Sequence, residues 1–471
     1  MDANTSQATP RLKGFGMCTH FASREKGWKI ERLLPLMKEA GVSVVRTEIL
    51  WDTVELQPGT YAIPAVDREW LDALREAGID LLLLLCYGNP IYPNPVDPQA
   101  FAAYCHWLGS ELKDYPLLGA EIWNEPTNFQ FMKHYGGNWS GIPPCPWADR
   151  FAELVQVSAA AIRQAHPRLP IMTNPGDPQF FHMVEAHPEA FRDLDGVGIH
   201  PYACRFPPET VPWGGAQLQQ RDGVSVADDD HSFLSLLRRT QEWGRQHLGR
   251  ELELHVTEFG YTTYNQHRRP GMVAGYTEAA QAMYLTRGMI LGLAGGARTM
   301  CVYDLMDDGP DLFDQESNFG IVRHESAGYA PKPAFHALRR LARQLGPDWS
   351  YVPEAPAELV TEINPLSQNE DHWQKPVVEP HLVLTSPQAH WFRTGNEWMT
   401  YVWRAGRNDG EYNAPLGRLV WDDAPPFAGV EVLDLVTGES IGVKVQREGT
   451  RLIVDDLPVG GSPVSVRWMA P

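Results

Sequence analysis

Two glutamates stand out by their surroundings. Glu125 closes the run Glu121-Ile-Trp-Asn-Glu-Pro126, and Glu258 lies near the end of Leu254-His-Val-Thr-Glu-Phe-Gly260. Each run reads as a strand that stops at a proline or a glycine. A lone acid at a strand end is ordinarily an ion-pair member. Two such acids facing each other over a cleft can do what glycosidic bond cleavage requires. One protonates the departing oxygen, while the other attacks, or activates water, at the sugar carbon. Direct attack needs the two carboxyls roughly 5–5.5 Å apart. It also needs opposite environments, one acid held protonated near neutral pH and the other charged. Glu121 shares the strand parity of Glu125 and is expected to point inward and pair with a buried cation.

The elements that must position these acids follow from periodicity. Strand-like runs occur at Gly14–His20, Val42–Glu48, Ile79–Tyr87, Leu118–Glu125, Pro170–Asn174, Gly196–His200, Leu252–Glu258 and Ala297–Asp304. Amphipathic helical stretches separate them. Ala40-Gly41 and Ala77-Gly78 read as helix stops before a strand. Strands alternating with helices in this number predict a parallel (β/α)8 TIM barrel. An open doubly wound sheet is the competing fold, but no GxGxxG or GxxxxGK[ST] follows a strand. In the barrel, strands four and seven lie on opposite sides of the mouth. Long insertions follow strands four, six and seven, at the carboxyl ends where such barrels build their sites. After about residue 345 the helical period gives way to short alternating runs, among them His381–Thr385, Glu397–Trp403, Val430–Leu435 and Ile441–Val445. The expected division is therefore a catalytic barrel over 1–345, then a linking segment (346–380) and a small antiparallel β-sandwich within 346–471.

These residues resemble the glycoside hydrolases of clan A, the (β/α)8 retaining glycosidases. Within the clan, the nearest likeness is to family thirty-nine and its exopolysaccharide-hydrolysing relatives. The resemblance is carried by Val44-Val-Arg46 with Trp51, Tyr87-Gly-Asn-Pro90, Glu121-Ile-Trp-Asn-Glu-Pro126, Gly198-Ile-His-Pro-Tyr202, Thr257-Glu-Phe-Gly260, Tyr303-Asp304, Asp307-Asp-Gly309, Asn318-Phe-Gly320 and Pro331-Lys-Pro333. It implies Glu125 as general acid/base and Glu258 as nucleophile. It further implies that Asn124 bonds the sugar 2-hydroxyl, that Arg46 lies beneath the nucleophile, and that His200 and Tyr202 orient carboxylates and hydroxyls. Many clan members carry a tryptophan near the end of strand eight that stacks under the sugar. This chain has Tyr303 there, so either Tyr303 or Trp51 is expected to take that contact.

Other residues have quieter readings. Glu48 and His20, ending strands two and one, are substrate-contact candidates or an ion-pair member and a satisfied core histidine. His255 has the opposite parity to Glu258 and is expected to pack outward under a helix. Asp304, Asp307, Asp308 and Asp311 read as a solvated loop or as acceptors for sugar hydroxyls, since an EF-hand's regular spacing and closing glutamate are missing. Trp139, Trp147 and Trp213 fall in the long loops and could form sugar platforms.

Composition narrows the field further. The 471 residues are 43% apolar and 21% charged, an ordinary globular balance. The net charge of −19 argues against a nucleic-acid partner. The longest near-continuous apolar run, Leu81 to Tyr87, is too short to span a bilayer, and residues 1–13 hold no signal-peptide core. Either the protein stays inside the cell or a signal has been removed. The six cysteines show no paired metal-ligand spacing. Cys18, Cys86 and Cys301 read as buried thiols, while Cys145 and Cys204 sit in proline-rich sequence where a bridge is an alternative. No metal and no cofactor are expected.

The leading expectation is a retaining β-glycoside hydrolase acting on an oligo- or polysaccharide, with a tilt toward endo action on an exopolysaccharide. An exo-acting, β-xylosidase-like enzyme is the nearest alternative. A non-catalytic carbohydrate-binding barrel would be expected to have lost one of the two glutamates. A metal-dependent barrel hydrolase would need more histidines at strand ends than His20 and His200.

Overall fold

The computed structural model describes residues 10–128, 130–212, 215–267, 273–362, 368–370, 381–407 and 414–471. Eight parallel strands close into a barrel: β1 (Phe15–Cys18), β2 (Val44–Leu50), β3 (Asp80–Cys86), β4 (Leu117–Ile122), β5 (Ile171–Thr173), β6 (Gly196–Ile199), β7 (Glu253–Phe259) and β8 (Thr299–Val302). Each strand lies beside its neighbours in sequence, and β1 pairs with both β8 and β2 to complete the ring. All eight expected strands are present. The helix stops are also as read: Gly41 (φ 83°) and Gly78 (φ 63°) adopt the left-handed conformation that ends Ile30–Ala40 and Ala65–Ala77. Among the described residues, no helix is long and apolar enough to cross a membrane.

Among the described residues beyond the barrel lie two larger antiparallel sheets, one of five strands and one of four, and a two-stranded ribbon of Gln368–Glu370 with His381–Val383. The two sheets form a β-rich unit with its own tryptophan-lined core of Trp391, Trp421 and Trp468. The sequence reading needs three corrections here. The segment after 345 is more than a link, because Trp349–Val352 and Glu358–Thr361 supply an edge strand to each sheet. The run expected at Ile441–Val445 forms a strand at Lys444–Glu448 instead. Strands Pro387–Thr394 and Leu416–Trp421 were not anticipated.

The two units share a core. Phe392, Met399, Tyr401, Trp403 and Leu435 belong to the same apolar cluster as the barrel helices. This explains the helix Glu278–Ala294, which is apolar on nearly every side because it is covered from both directions. Its single buried cation, Arg287, donates to both oxygens of buried Glu209, with Nε at 2.8 Å. The same guanidinium reaches the carbonyls of Gly406 and Gly461, and Trp403 Nε1 donates to Glu209 at 2.7 Å. The pair thus ties barrel to sheet through fully satisfied polar groups. Arg287→Ala would leave the Glu209 carboxylate buried without its cation, held among the described residues by Trp403 alone. Thermal or urea unfolding should register a loss of about 3–5 kcal/mol.

Candidate active site

The carboxyl ends of the strands open into a cavity of about 480 Å³, lined by Glu125, Glu258, His200, Tyr202, Arg46 and Asn124 among others. At its floor Arg46, from β2, spreads its guanidinium over three acceptors. Nε donates to Glu121 at 2.6 Å, Nη1 to Glu258 at 2.6 Å and Nη2 to Asn124 Oδ1 at 2.9 Å. The planar guanidinium, with donors on all three nitrogens, suits three acceptors placed around its edge. Glu121 therefore has the buried-cation role expected of it. The glycine of β6 makes room for it: a Cβ at Gly198 would fall 2.4 Å from Glu121 Oε1 and 2.8 Å from Thr257 Oγ1.

Glu258 is held on its other oxygen by Tyr202, whose hydroxyl donates at 2.9 Å. Burial and the charge of Glu258 push the Tyr202 phenol well above its usual range, so it remains a donor. Glu125 stands on the turn after β4, with a left-handed φ of 42°, and Trp123 before it has φ 66°. Such conformations cost of order 1–3 kcal/mol each and are found where the surrounding structure fixes a side chain for use. His200 Nδ1 meets Glu125 Oε1 at 2.7 Å, and its Nε2 meets Thr257 Oγ1 at 3.1 Å. Burial alone pushes His200 down, but the nearby Glu258 and Glu125 outweigh it and hold the imidazole above 6.5. Burial likewise pushes Glu125 up, but the hydrogen bond and charge of His200 bring it below its usual value. These shifts favour the charged form of Glu125, against the expectation that it is the acid held protonated, and place the imidazole one hydrogen bond away from it. Oxygens of Glu125 and Glu258 and a ring nitrogen of His200 all lie within 4.8 Å of one another.

The remaining expected residues divide. Asn124 is in place, its amide donating to the Tyr87 hydroxyl at 2.9 Å. Glu48 and His20 line the cavity as a pair, 3.2 Å apart. Tyr303 lines it too, at the end of β8 and edge-on to Phe319. Trp51 does not reach it. The chain turns into a short helix at Trp51, which drives the indole beneath β2 against Tyr92, Phe101 and Tyr104. There it is fully buried and donates to Glu55. Trp147 is also core and not a platform, packed on Phe151 and bonded to the Asn138 carbonyl. Trp139 does line the cavity and is 37% exposed. Trp213 lies outside the described residues. His255 is buried beside Thr299. All six cysteines are free and buried, so Cys145 and Cys204 are not bridged. The acidic run after β8 divides: Asp311 is exposed as expected of a solvated loop, but Asp304 is fully buried, Asp307 is ion-paired to Lys332 at 2.7 Å, and Asp308 accepts from Trp28. Burial and the neighbouring Asp308 and Asp307 push Asp304 far above the usual carboxylate range.

Sequence reasoning missed a polar wall after β5. Asn174, Asp177 and Gln179 line the cavity, and each is buried with side-chain oxygens that have no hydrogen-bond partner. Gln179 is oriented by its Nε2, which donates to the Trp139 carbonyl at 2.8 Å. Burial pushes Asp177 up to about 6, with the Glu125 charge adding to the effect and His200 opposing it. No sequence pattern marks these three, because only the barrel brings them beside Glu125.

The model for Cellulase (glycosyl hydrolase family 5) matches residues 1–283, a span that holds both glutamates. The chain belongs to that family. It is a glycoside hydrolase of clan A, as the motifs implied. No curated protein matches it. Among solved structures, the hydrolase is similar to a family 39 glycoside hydrolase from the gut symbiont Bacteroides cellulosilyticus WH2. The two share 19% identity at a TM-score of 0.69, over 97% of this chain and 81% of that one. A GH30 endoxylanase from Clostridium papyrosolvens C71 matches at 11% identity and TM-score 0.56, over 99% and 98% of the chains. A glucosidase from Croceicoccus marinus matches at 12% and 0.56, over 99% and 97%. At these identities the likeness is one of fold, and in all three it extends through the β-rich unit.

Trp51→Phe in the hydrolase should leave KM for substrate unchanged. It should lower stability by about 1–3 kcal/mol, because Glu55 loses a buried donor. A raised KM with unchanged stability would return Trp51 to the sugar.

Proposed function

We propose that the hydrolase is a retaining β-glycosidase that cleaves a polysaccharide by double displacement, with Glu125 as acid/base and Glu258 as nucleophile. The observation that carries this reading is the approach of the two carboxylates to within 4.8 Å. Retaining enzymes hold them roughly 5–5.5 Å apart, whereas inverting enzymes leave about 6.5–9.5 Å for a water. In the first step a Glu258 oxygen bonds to the anomeric carbon as the glycosidic oxygen departs with a proton from Glu125. Water then hydrolyses the glycosyl ester, giving its proton to Glu125. Arg46 and Tyr202 hold the two Glu258 oxygens in line for attack.

His200 supplies the proton economy of this scheme. It and Glu125 share one proton, and Glu125 passes it on when the leaving oxygen arrives. The cavity also favours internal cleavage. Polar walls stand on both sides of the carboxylates, with His20 and Glu48 on one side and Asn174, Asp177, Gln179 and Trp139 on the other. The Asp177 wall lies on the Glu125 side and suits the sugar that leaves.

Two experiments test the assignment. With an aryl glycoside, Glu125→Ala should accumulate glycosyl-enzyme, and azide should restore turnover to give the azide of retained configuration. Glu258→Ala should lose several orders of magnitude in rate, and any azide product should have the opposite configuration. The same anomer from both variants would overturn the roles. The second test is the pH profile. A histidine raised above its usual value loses its proton only as pH rises through the raised value. The alkaline limb of kcat/KM should therefore lie above pH 6.5. In His200→Asn the proton rests on Glu125 alone, so the limb should move to lower pH by at least about one unit.

A further inference from the structure

A second set of side chains converges behind the cavity wall. His20 follows β1, and Asp304 and Asp308 follow β8. One ring nitrogen of His20 and one oxygen from each aspartate lie within 4.8 Å of one another. The outward atoms of this set already have partners. His20 Nδ1 meets Glu48 Oε1 at 3.2 Å, and Asp308 Oδ1 accepts from Trp28 Nε1 at 2.7 Å. The inward atoms do not. His20 Nε2 is buried without a partner, and so are both oxygens of Asp304, in a side chain of 0% exposure.

We propose that His20, Asp304 and Asp308 bind a divalent first-row metal ion, with zinc as the type. Charge argues for a cation over water. Three carboxylates, Glu48, Asp304 and Asp308, surround one imidazole. The nearest lysine, Lys332, serves Asp307, and neither Asp304 nor Asp308 has a lysine or arginine ion-pair partner among the described residues. A proton on Asp304 would give one of its oxygens a role as donor and leave the other buried without a partner. A bound dication satisfies the orphan oxygens and the free imidazole nitrogen together. The donor set selects the class: calcium and magnesium favour all-oxygen sites, whereas one imidazole with two carboxylates suits zinc and its neighbours. The outer contacts are those of a built metal site, where a carboxylate fixes the histidine tautomer and a hydrogen bond orients the ligating carboxylate. The catalytic cluster differs in this respect. His200 has partners on both nitrogens, and Glu258 is held by Arg46 and Tyr202. The ligands come from opposite ends of the barrel sequence, so no short spacing motif announces them. Because His20 and Glu48 line the cavity, an ion there would fix the wall opposite Asp177.

The test needs no substrate. The full chain, stripped with chelator, is titrated with zinc chloride by calorimetry and with cobalt(II) by visible absorption. The expected result is one equivalent bound, ligand-field bands for cobalt, and a rise in Tm with zinc. Asp304→Asn and Asp308→Asn should each weaken zinc binding at least ten-fold, while Glu258→Gln binds like the wild type. If neither aspartate variant folds, the wild-type stoichiometry and the behaviour of Glu258→Gln decide. Folded wild type that binds no zinc would overturn the proposal. So would binding that survives both aspartate changes or disappears in Glu258→Gln.

Discussion

The site is organised around the guanidinium of Arg46. It joins β2 to β4 through Glu121 and Asn124, and to β7 through Glu258, so three strands must keep their register for it to form. Each contact is charged or charge-assisted and shielded from water, which makes it strong while complete and costly when one partner is lost. The closed barrel supplies the rigidity. A ring of parallel strands has no free edge and cannot slip one strand without moving its neighbours. The missing side chain at Gly198 is part of the same constraint, because any larger residue would push Glu121 off the guanidinium.

Most of this was legible in the sequence because it depends on period and position. Strands announce themselves by apolar runs, and an acid at a strand end is placed by the fold itself. Glu125, Glu258, His200 and Tyr202 sit at or just past such ends, while Arg46 lies inside β2 and was marked by the family resemblance; all five meet in the cavity. Trp51 misled because it lies one residue beyond β2, where a helical turn sends its ring down into the core. Asp304 misled because an acidic run looks solvated on paper, whereas its burial is decided by segments distant in sequence. Asn174, Asp177 and Gln179 gave no signal, since a polar residue after a strand is ordinary until the opposite wall is known. In the β-rich unit, Pro387–Thr394 begins with proline and carries polar residues on one face, which blurs the alternation of a strand.

The two units differ in what they contribute. Among the described residues, those that touch the cavity all come from the barrel, while the sheets cover apolar helix surface and complete the polar shell around Arg287 and Glu209. Arg340 adds to the joint by capping the carbonyls of Leu435 and Val436, both at 3.0 Å.

That joint has a bearing on how the chain is made. Synthesis runs from the amino end, and the last barrel strand and its helix are out by Leu345. The indole that completes the shell of Glu209 belongs to Trp403, and the apolar cover includes Leu435. A nascent barrel therefore has all its strands before it has its lid. For the time needed to make the next hundred or so residues, at about 5–20 residues per second, the helix Glu278–Ala294 presents to water a face meant for the interior. In that interval the ribosome-bound chain is most exposed to wrong partners, and there a chaperone would find its binding surface.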